Sequence, residues 1–282
     1  MDCKTEIGNV AKWIKRYIFS TATKRGVVVG LSGGVDSALT AAAAVQALGK
    51  EKVFGLMLPC ESSKQSWDCA SIVAAQLKIE SAAFDLTHTY KEWLSELPLV
   101  VSNDRLACGN QKARLRMGTL YAFAQAKNYL VIGTTNKTEM MTGYFTKYGD
   151  GGVDFEPFSD YWKTEIYKLA RFMGINEKIV SQSPTADLWE GQTDEEELGM
   201  TYSQLDALLR LHIEMKHQLL RDQDITLPLM GCVECFVEDE FNVLSEKWDM
   251  DVDMVKANFI RITQLVARTE HKRILPPSYK RT

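Results

Sequence analysis

Apolar residues recur at Ile7, Val10, Ile14, Tyr17 and Ile18, a spacing that predicts an amphipathic helix at the start of the chain. Gly26 breaks this pattern, and Val27, Val28 and Val29 then form a short apolar run that predicts a buried strand. The segment from Ala38 to Leu48 is rich in strong helix formers and closes at Gly49. A second strand is expected from Val53 to Leu58, stopped by Pro59, then a helix from Trp67 to Leu77 and a third strand from Ala82 to Leu86. Helical patterns at Tyr90 to Leu97 and Lys112 to Lys127 precede a fourth apolar strand, Tyr129 to Gly133.

Short, wholly apolar strands alternating with helices predict an α/β fold, a doubly wound parallel sheet with helices on both faces. Ligands of such sheets sit beyond the C-terminal strand ends, where the loops after Val29 and Ile132 both fall. The pattern turns mainly helical from about residue 163, and Val252, Val255, Phe259, Ile262 and Val266 mark one face of a late helix. One catalytic domain over residues 1–282 is the expectation. The glycine-rich polar stretch from Thr142 to Asp154 is too long for a plain turn and points to function.

The 282 residues are 45% hydrophobic and 25% charged, enough to bury a core without disulfides. The opening residues are mixed polar and apolar, unlike a signal peptide, and no run approaches the roughly 20 apolar residues of a membrane span. A cytoplasmic enzyme without membrane contact is expected. The net charge of −4 argues against a general nucleic-acid surface. Of six cysteines, only Cys232 and Cys235 form a CxxC, with no second pair at zinc spacing, so reduced thiols are expected. His212 and His217 lack the HExxH spacing of a zinc helix and are expected on a helix surface.

The chemistry concentrates in Gly30, Leu31, Ser32, Gly33, Gly34, Val35, Asp36 and Ser37, placed between a strand and a helix. Two glycines allow close backbone approach to a ligand, and the following helix offers unpaired N–H groups to an anion. Ser32 and Ser37 add hydroxyls. Asp36 would repel a phosphate unless a cation such as Mg2+ stood between them. The plainer alternative is a strand–helix turn in which Asp36 and Ser37 only cap the helix. The sequence is neither a Walker A loop nor a Rossmann fingerprint.

GLSGGVDS resembles the signature of the N-type ATP pyrophosphatases, which cleave ATP between the α- and β-phosphates. Further segments follow in order: Lys112-Ala-Arg114-Leu-Arg116, Gly133-Thr134-Thr-Asn-Lys-Thr-Glu139, TGYFTKYGDGGVD, Pro184-Thr185-Ala-Asp-Leu, Gln192 to Gly199, and His271-Lys272-Arg273. Together they resemble the NAD synthetase family from about Val27 to Pro276. The resemblance implies an adenine-nucleotide-alpha-hydrolase-like fold and a ligase that amidates deamido-NAD with ammonia and ATP. It implies Asp36 and Glu139 as Mg2+ ligands, and Thr134, Lys163 and Thr185 as ATP contacts beside the loop. Arg114, Lys147, Asp154, His271 and Lys272 match dinucleotide-binding positions, and Asp150 and Glu197 match acidic positions near the substrate or incoming ammonia. A homodimer is implied as well. Read without the family, Lys163 is an ordinary surface lysine and Glu139 an exposed carboxylate at a helix start. Free ammonia is the expected donor, because a glutaminase domain would not fit this length. Met57 stands where an arginine is frequent in the family, and Val35 where glutamine is. The nearest rival is another N-type ATP pyrophosphatase, GMP-synthetase-like or RNA-thiolating.

Overall fold

The computed structural model describes residues 1–189, 191–221 and 238–276. Its elements run α1 (Cys3–Arg16), β1 (Val27–Gly30), α2 (Val35–Leu48), β2 (Val53–Met57), α3 (Lys64–Leu77), β3 (Glu80–Ala83), α4 (Thr87–Ser95), α5 (Leu99–Ser102), α6 (Arg105–Lys127) and β4 (Leu130–Val131). Helices α7 (Lys137–Thr142), α8 (Lys163–Phe172), α9 (Glu177–Val180), α10 (Asp194–Leu198) and α11 (Tyr202–Arg221) follow, and α12 (Glu238–Trp248), α13 (Val252–Arg268) and α14 (Glu270–Arg273) complete the described order.

The strands form a parallel sheet in the order β3-β2-β1-β4. Successive side chains of a strand face opposite sides, so β1 feeds two cores. Val27 and Val29 join Leu39, Val73, Ile166 and Leu169 under α1, α2, α3 and α8. Val28 joins Phe54, Leu56 and Ala124 under α6. Each fully buried aliphatic side chain contributes roughly 1.5–3 kcal/mol, which is why the central strands β1 and β2 read as apolar runs. From β1 the chain steps outward to β2 and β3, then returns to β1's other edge as β4. The resulting switch point lies between β1 and β4, and both loops there leave from C-terminal strand ends.

Several element ends shift by one to three residues from the sequence expectation, and three differences change the picture. The third strand starts at Glu80 and ends at Ala83, because an edge strand carries exposed Glu80 and Ser81 without apolar alternation. Helix α6 begins seven residues before Lys112, where Asp104 accepts a hydrogen bond from Ala107 N at 2.8 Å. Strand β4 is only two residues long, and Ile132 instead pairs with Phe155, which brings the Asp154–Glu156 segment against the end of β4.

The chain divides into two compact units, Met1–Glu139 with Phe145–Met200, and Met140–Tyr144 with Thr201–Thr282. The first contains the sheet. In the second, Phe241 meets Phe259 edge-on at 5.4 Å, and Val255, Phe259 and Ile262 are buried as their spacing predicts. His212 corrects the surface expectation: it is buried against Phe259, and its Nδ1 lies 3.2 Å from Thr263 Oγ1. Burial lowers its pKa, whereas His217 is exposed as expected. Cys3, Cys60, Cys69 and Cys108 are free thiols, and Cys232 and Cys235 lie outside the described residues.

Candidate active site

Past Gly30 the backbone keeps one more ladder bond, from Leu31 N to Leu56 O at 2.8 Å. It then turns through Gly33 at φ +87°, where an added Cβ would run into the Ser66 carbonyl. Only glycine suits that position. Gly34 caps α2 and supplies no side-chain partner for the first-turn N–H groups. The two hydroxyls of the loop hold its shape: Ser37 donates to Gly34 O at 3.0 Å, Ser32 Oγ lies 3.0 Å from Ser37 Oγ, and Gly34 N donates to Ser32 Oγ at 3.2 Å. The turn is therefore an anion-ready helix start.

Asp36 does not cap that helix. Its Oδ2 accepts from Lys163 Nζ at 2.6 Å and its Oδ1 from Asn136 Nδ2 at 2.9 Å. Lys163 Nζ also donates to Glu139 Oε1 at 2.9 Å. Asn136 ties the two acids together, since its Oδ1 accepts from Glu139 N at 3.0 Å and its N donates to Glu139 Oε2 at 3.3 Å. Lys163 is only 2% exposed, which overturns the surface-lysine alternative. It opens α8, where a cation opposes the helix dipole, and two carboxylates offset that cost. Its own N–H donates to Thr138 Oγ1 at 3.0 Å. Burial raises the pKa of Glu139, Lys163 pulls it down and Asp36 pushes it up again.

Two carboxylates sharing one cation are hard-oxygen donors of the kind Mg2+ takes when polyphosphate and water complete its shell. The described residues contain no group of three or more His, Cys, Asp or Glu able to hold a metal alone. As donors, the two carboxylates fit a hard divalent cation.

The remaining expected residues lie as follows. Thr134 is half-buried in the loop after β4, and Thr185 is exposed, its Oγ1 accepting from Asp187 N at 3.0 Å. Arg114 is exposed on α6. Its neighbours are not: Lys112 binds Glu61 and Leu188 O at 2.9 Å each, and Arg116 donates to Leu58 O and Ser62 Oγ at 3.0 Å each. A guanidinium thus reaches the end of β2 from α6, beside Met57. Lys147 Nζ stands 5.4 Å from the Tyr148 ring, and Asp150 Oδ1 accepts from Thr146 N at 2.8 Å. Asp154 braces the fold, accepting from Val131 N at 2.7 Å and from Tyr121 OH at 3.3 Å. Glu197 Oε2 accepts from Gln192 Nε2 at 3.1 Å. His271 and Lys272 belong to the second unit, where Lys272 Nζ donates to Gly143 O at 2.7 Å.

Sequence reasoning missed Asn136, Asp194 and Glu156. Asp194 is buried and raises the pKa of Glu139. Glu156 accepts from Thr135 N at 3.1 Å. The signal for Asn136 was its place inside GTTNKTE; Asp194 and Glu156 carried none stronger than an acid in a loop-rich stretch.

Comparison with known proteins identifies the family. Residues 6–229 match the family model described as NAD synthase. The NH(3)-dependent NAD(+) synthetase of Methanosarcina acetivorans is 41% identical over 256 residues, 89% of each chain. That of Methanocaldococcus jannaschii is 38% identical over 96% of this chain and 95% of its own. Among solved structures, the NMN synthetase of Francisella tularensis aligns with a TM-score of 0.78 at 28% identity over 99% of both chains. The NH3-dependent NAD synthetase of Campylobacter jejuni, in complex with nitrate, aligns at 0.73 and 26% over 99% of this chain and 100% of that one. With the family model matched over most of the chain and relatives about 40% identical over nearly their whole length, the chain belongs to the NAD synthase family.

Proposed function

We propose that this protein amidates deamido-NAD with ammonia, splitting ATP to AMP and pyrophosphate. The observation that carries the reading is the Asp36–Lys163–Glu139 cluster beside the open N-terminus of α2. A carboxylate is a poor acyl donor, so its oxygen attacks the α-phosphorus of ATP and the bond to the β-phosphate breaks. Ammonia then attacks the acyl carbon through its lone pair, AMP leaves with the former carboxylate oxygen, and the nitrogen sheds a proton to give the amide.

The chain's own residues mainly position groups and neutralise charge. The α2 N–H groups, Ser32 and Ser37 receive the departing pyrophosphate, and Thr134 and Thr185 contact the nucleotide. Lys163 meets the charge developing on the phosphates. Asp36 and Glu139 would hold Mg2+, which when bound offsets polyphosphate charge. Arg114, Lys147, Asp154, His271 and Lys272 are assigned to the dinucleotide, and Asp150 and Glu197 to the ammonia side. A single catalytic domain, a cytoplasmic location and a homodimer belong to the same proposal; among the described residues no helix is long and apolar enough to cross a membrane.

The test mixes protein, Mg-ATP, ammonium and either deamido-NAD or nicotinic acid mononucleotide. The second acceptor is included because the Francisella relative is an NMN synthetase. NAD formation with equimolar AMP, abolished by a chelator, is the expected result. Amidation of the mononucleotide alone would move the substrate. AMP formation only with an unrelated acceptor would make the chain a sibling pyrophosphatase.

A further inference from the structure

The parallel pairing of Ile132 with Phe155 places Glu156 under the loop that leaves β4. Glu156 Oε2 accepts from Thr135 N at 3.1 Å, in the middle of Gly133-Thr134-Thr135-Asn136. The carboxyl lies so close to Gly133 that a Cβ there would run into both of its oxygens. Its other oxygen, Oε1, is buried with no hydrogen-bond partner, one of two such side-chain atoms among the described residues. Burial, with the Glu139 and Asp150 carboxylates adding to it, pushes the acid up to about 8 against the pull of Thr135. A buried, half-satisfied carboxyl is costly for any fold. Strain of this kind is tolerated where it holds a functional segment in place.

We propose that Glu156 is a positioning residue that fixes the Gly133–Glu139 loop for Mg-ATP, at the expense of the stability of the fold. The inference rests on the ATP-using reading of the loop, not on the identity of the acyl acceptor. Thr134, Asn136 and Glu139 all lie within that loop, and the bond to Thr135 N is the brace that Glu156 gives the loop backbone at its middle. An uncharged acceptor of the same shape makes that bond equally well. A neutral isostere should therefore serve, and an apolar side chain should not.

The experiment compares the full-length protein with Glu156→Gln and Glu156→Leu. It reads KM and kcat for each substrate, Mg-ATP binding by calorimetry, and thermal stability at pH 7. Glu156→Gln should keep its Mg-ATP affinity within about twofold, and Glu156→Leu should lose about tenfold, as expected for one lost hydrogen bond. The loss in Glu156→Leu should fall on KM for Mg-ATP, with KM for ammonium and deamido-NAD unchanged. Glu156→Gln should melt higher than the parent at pH 7, since it keeps the acceptor for Thr135 N and removes a buried acid that must take up a proton to fold. Glu156→Leu also removes the acid but leaves the buried Thr135 N without its acceptor, so its melting is not the readout. A structural prop would give the reverse: lower melting of Glu156→Gln overturns the proposal. Parental Mg-ATP affinity in Glu156→Leu overturns it too, as does a Gln variant impaired as badly as Leu, which would give the carboxyl a charge-dependent role. If the parent makes no NAD, the calorimetric comparison still decides this inference while the amidation reading fails alone.

Discussion

The two loops at the switch point solve opposite problems. The loop after β1 is built from backbone: a glycine at positive φ, two hydroxyls bonded mainly within the turn, and helix N–H groups without side-chain partners. The loop after β4 is built from side chains already committed to one another, with Asn136 bridging Asp36 and Glu139 and Lys163 spanning both acids. One is an open seat for an anion. The other is a carboxylate cradle filled by an internal cation. A polyphosphate would enter the first without rearrangement, whereas in the second a metal would have to compete with the lysine for carboxylate oxygen. Charge is therefore stored at one edge and left vacant at the other.

The largest expected effect comes from emptying the filled side. Lys163→Met keeps the length of the side chain but leaves Asp36 and Glu139 facing each other without a cation. Stability should fall by about 3 kcal/mol, as for breaking a buried ion pair, and AMP release by about 10²–10³-fold. Urea denaturation and an AMP-release assay measure the two. Added Mg2+ should then raise the melting temperature of the variant more than that of the parent, because the two acids have lost their internal counter-ion. An unchanged melting response would mean that the acids do not form a cation site.

Emptying the open side should be milder. Gly33→Ala asks a residue with a Cβ to hold φ +87° while its methyl meets the Ser66 carbonyl. A loss of about 1–3 kcal/mol is expected, with weaker ATP binding from the distorted turn. Wild-type stability with wild-type ATP affinity would show that the turn is not held in this shape.

The contrast also explains what the sequence could reveal. The loop after β1 was readable because its chemistry is local: eight consecutive residues carry the glycines, hydroxyls and helix start. Strands β1 and β2 were readable because they are buried on both faces. The cradle assembles Asp36, Asn136, Glu139 and Lys163 from three distant segments, so a residue-by-residue reading makes Lys163 a surface lysine, and only its family position placed it in the site. Glu156 stayed invisible since the Ile132–Phe155 pairing that delivers it has no local signature. The resemblance assigns Asp154 to the dinucleotide, whereas the structure shows it bracing β4 through Val131 N and Tyr121 OH, a use that no motif records. His212 was misplaced because its helix, α11, buries a wider stripe than two histidines in a polar stretch suggest.

A pH dependence separates the buried acid behind the cradle from the open loop. The folded pKa of Glu156, about 8, lies above its ordinary value of 4.5. The folded state therefore holds this proton more tightly than the unfolded chain, and the stability it contributes is present below pH 4.5 and lost as pH rises toward 8. Glu156→Gln should accordingly gain about 3 kcal/mol over the parent at pH 7 and nothing near pH 4. Denaturation curves of both proteins at the two pH values test the sign. An equal gain at both would locate the effect in packing rather than in the proton.

The smallest effect should belong to the hydroxyl at the mouth of the open loop. Ser32 is exposed; its Oγ accepts from Gly34 N at 3.2 Å and lies 3.0 Å from the buried Ser37 hydroxyl. Removing it deletes no core contact, so Ser32→Ala should change stability by less than about 0.5 kcal/mol. What it removes is pre-organisation: Gly34 N loses its acceptor, Ser37 loses a neighbour, and the turn gains freedom that a bound polyphosphate must then take away. KM for ATP should rise about fivefold with kcat nearly constant, the pattern of lost uniform binding. A fall in kcat with KM unchanged would put Ser32 in contact with charge that develops only in the transition state, and the open loop would then be more than a seat.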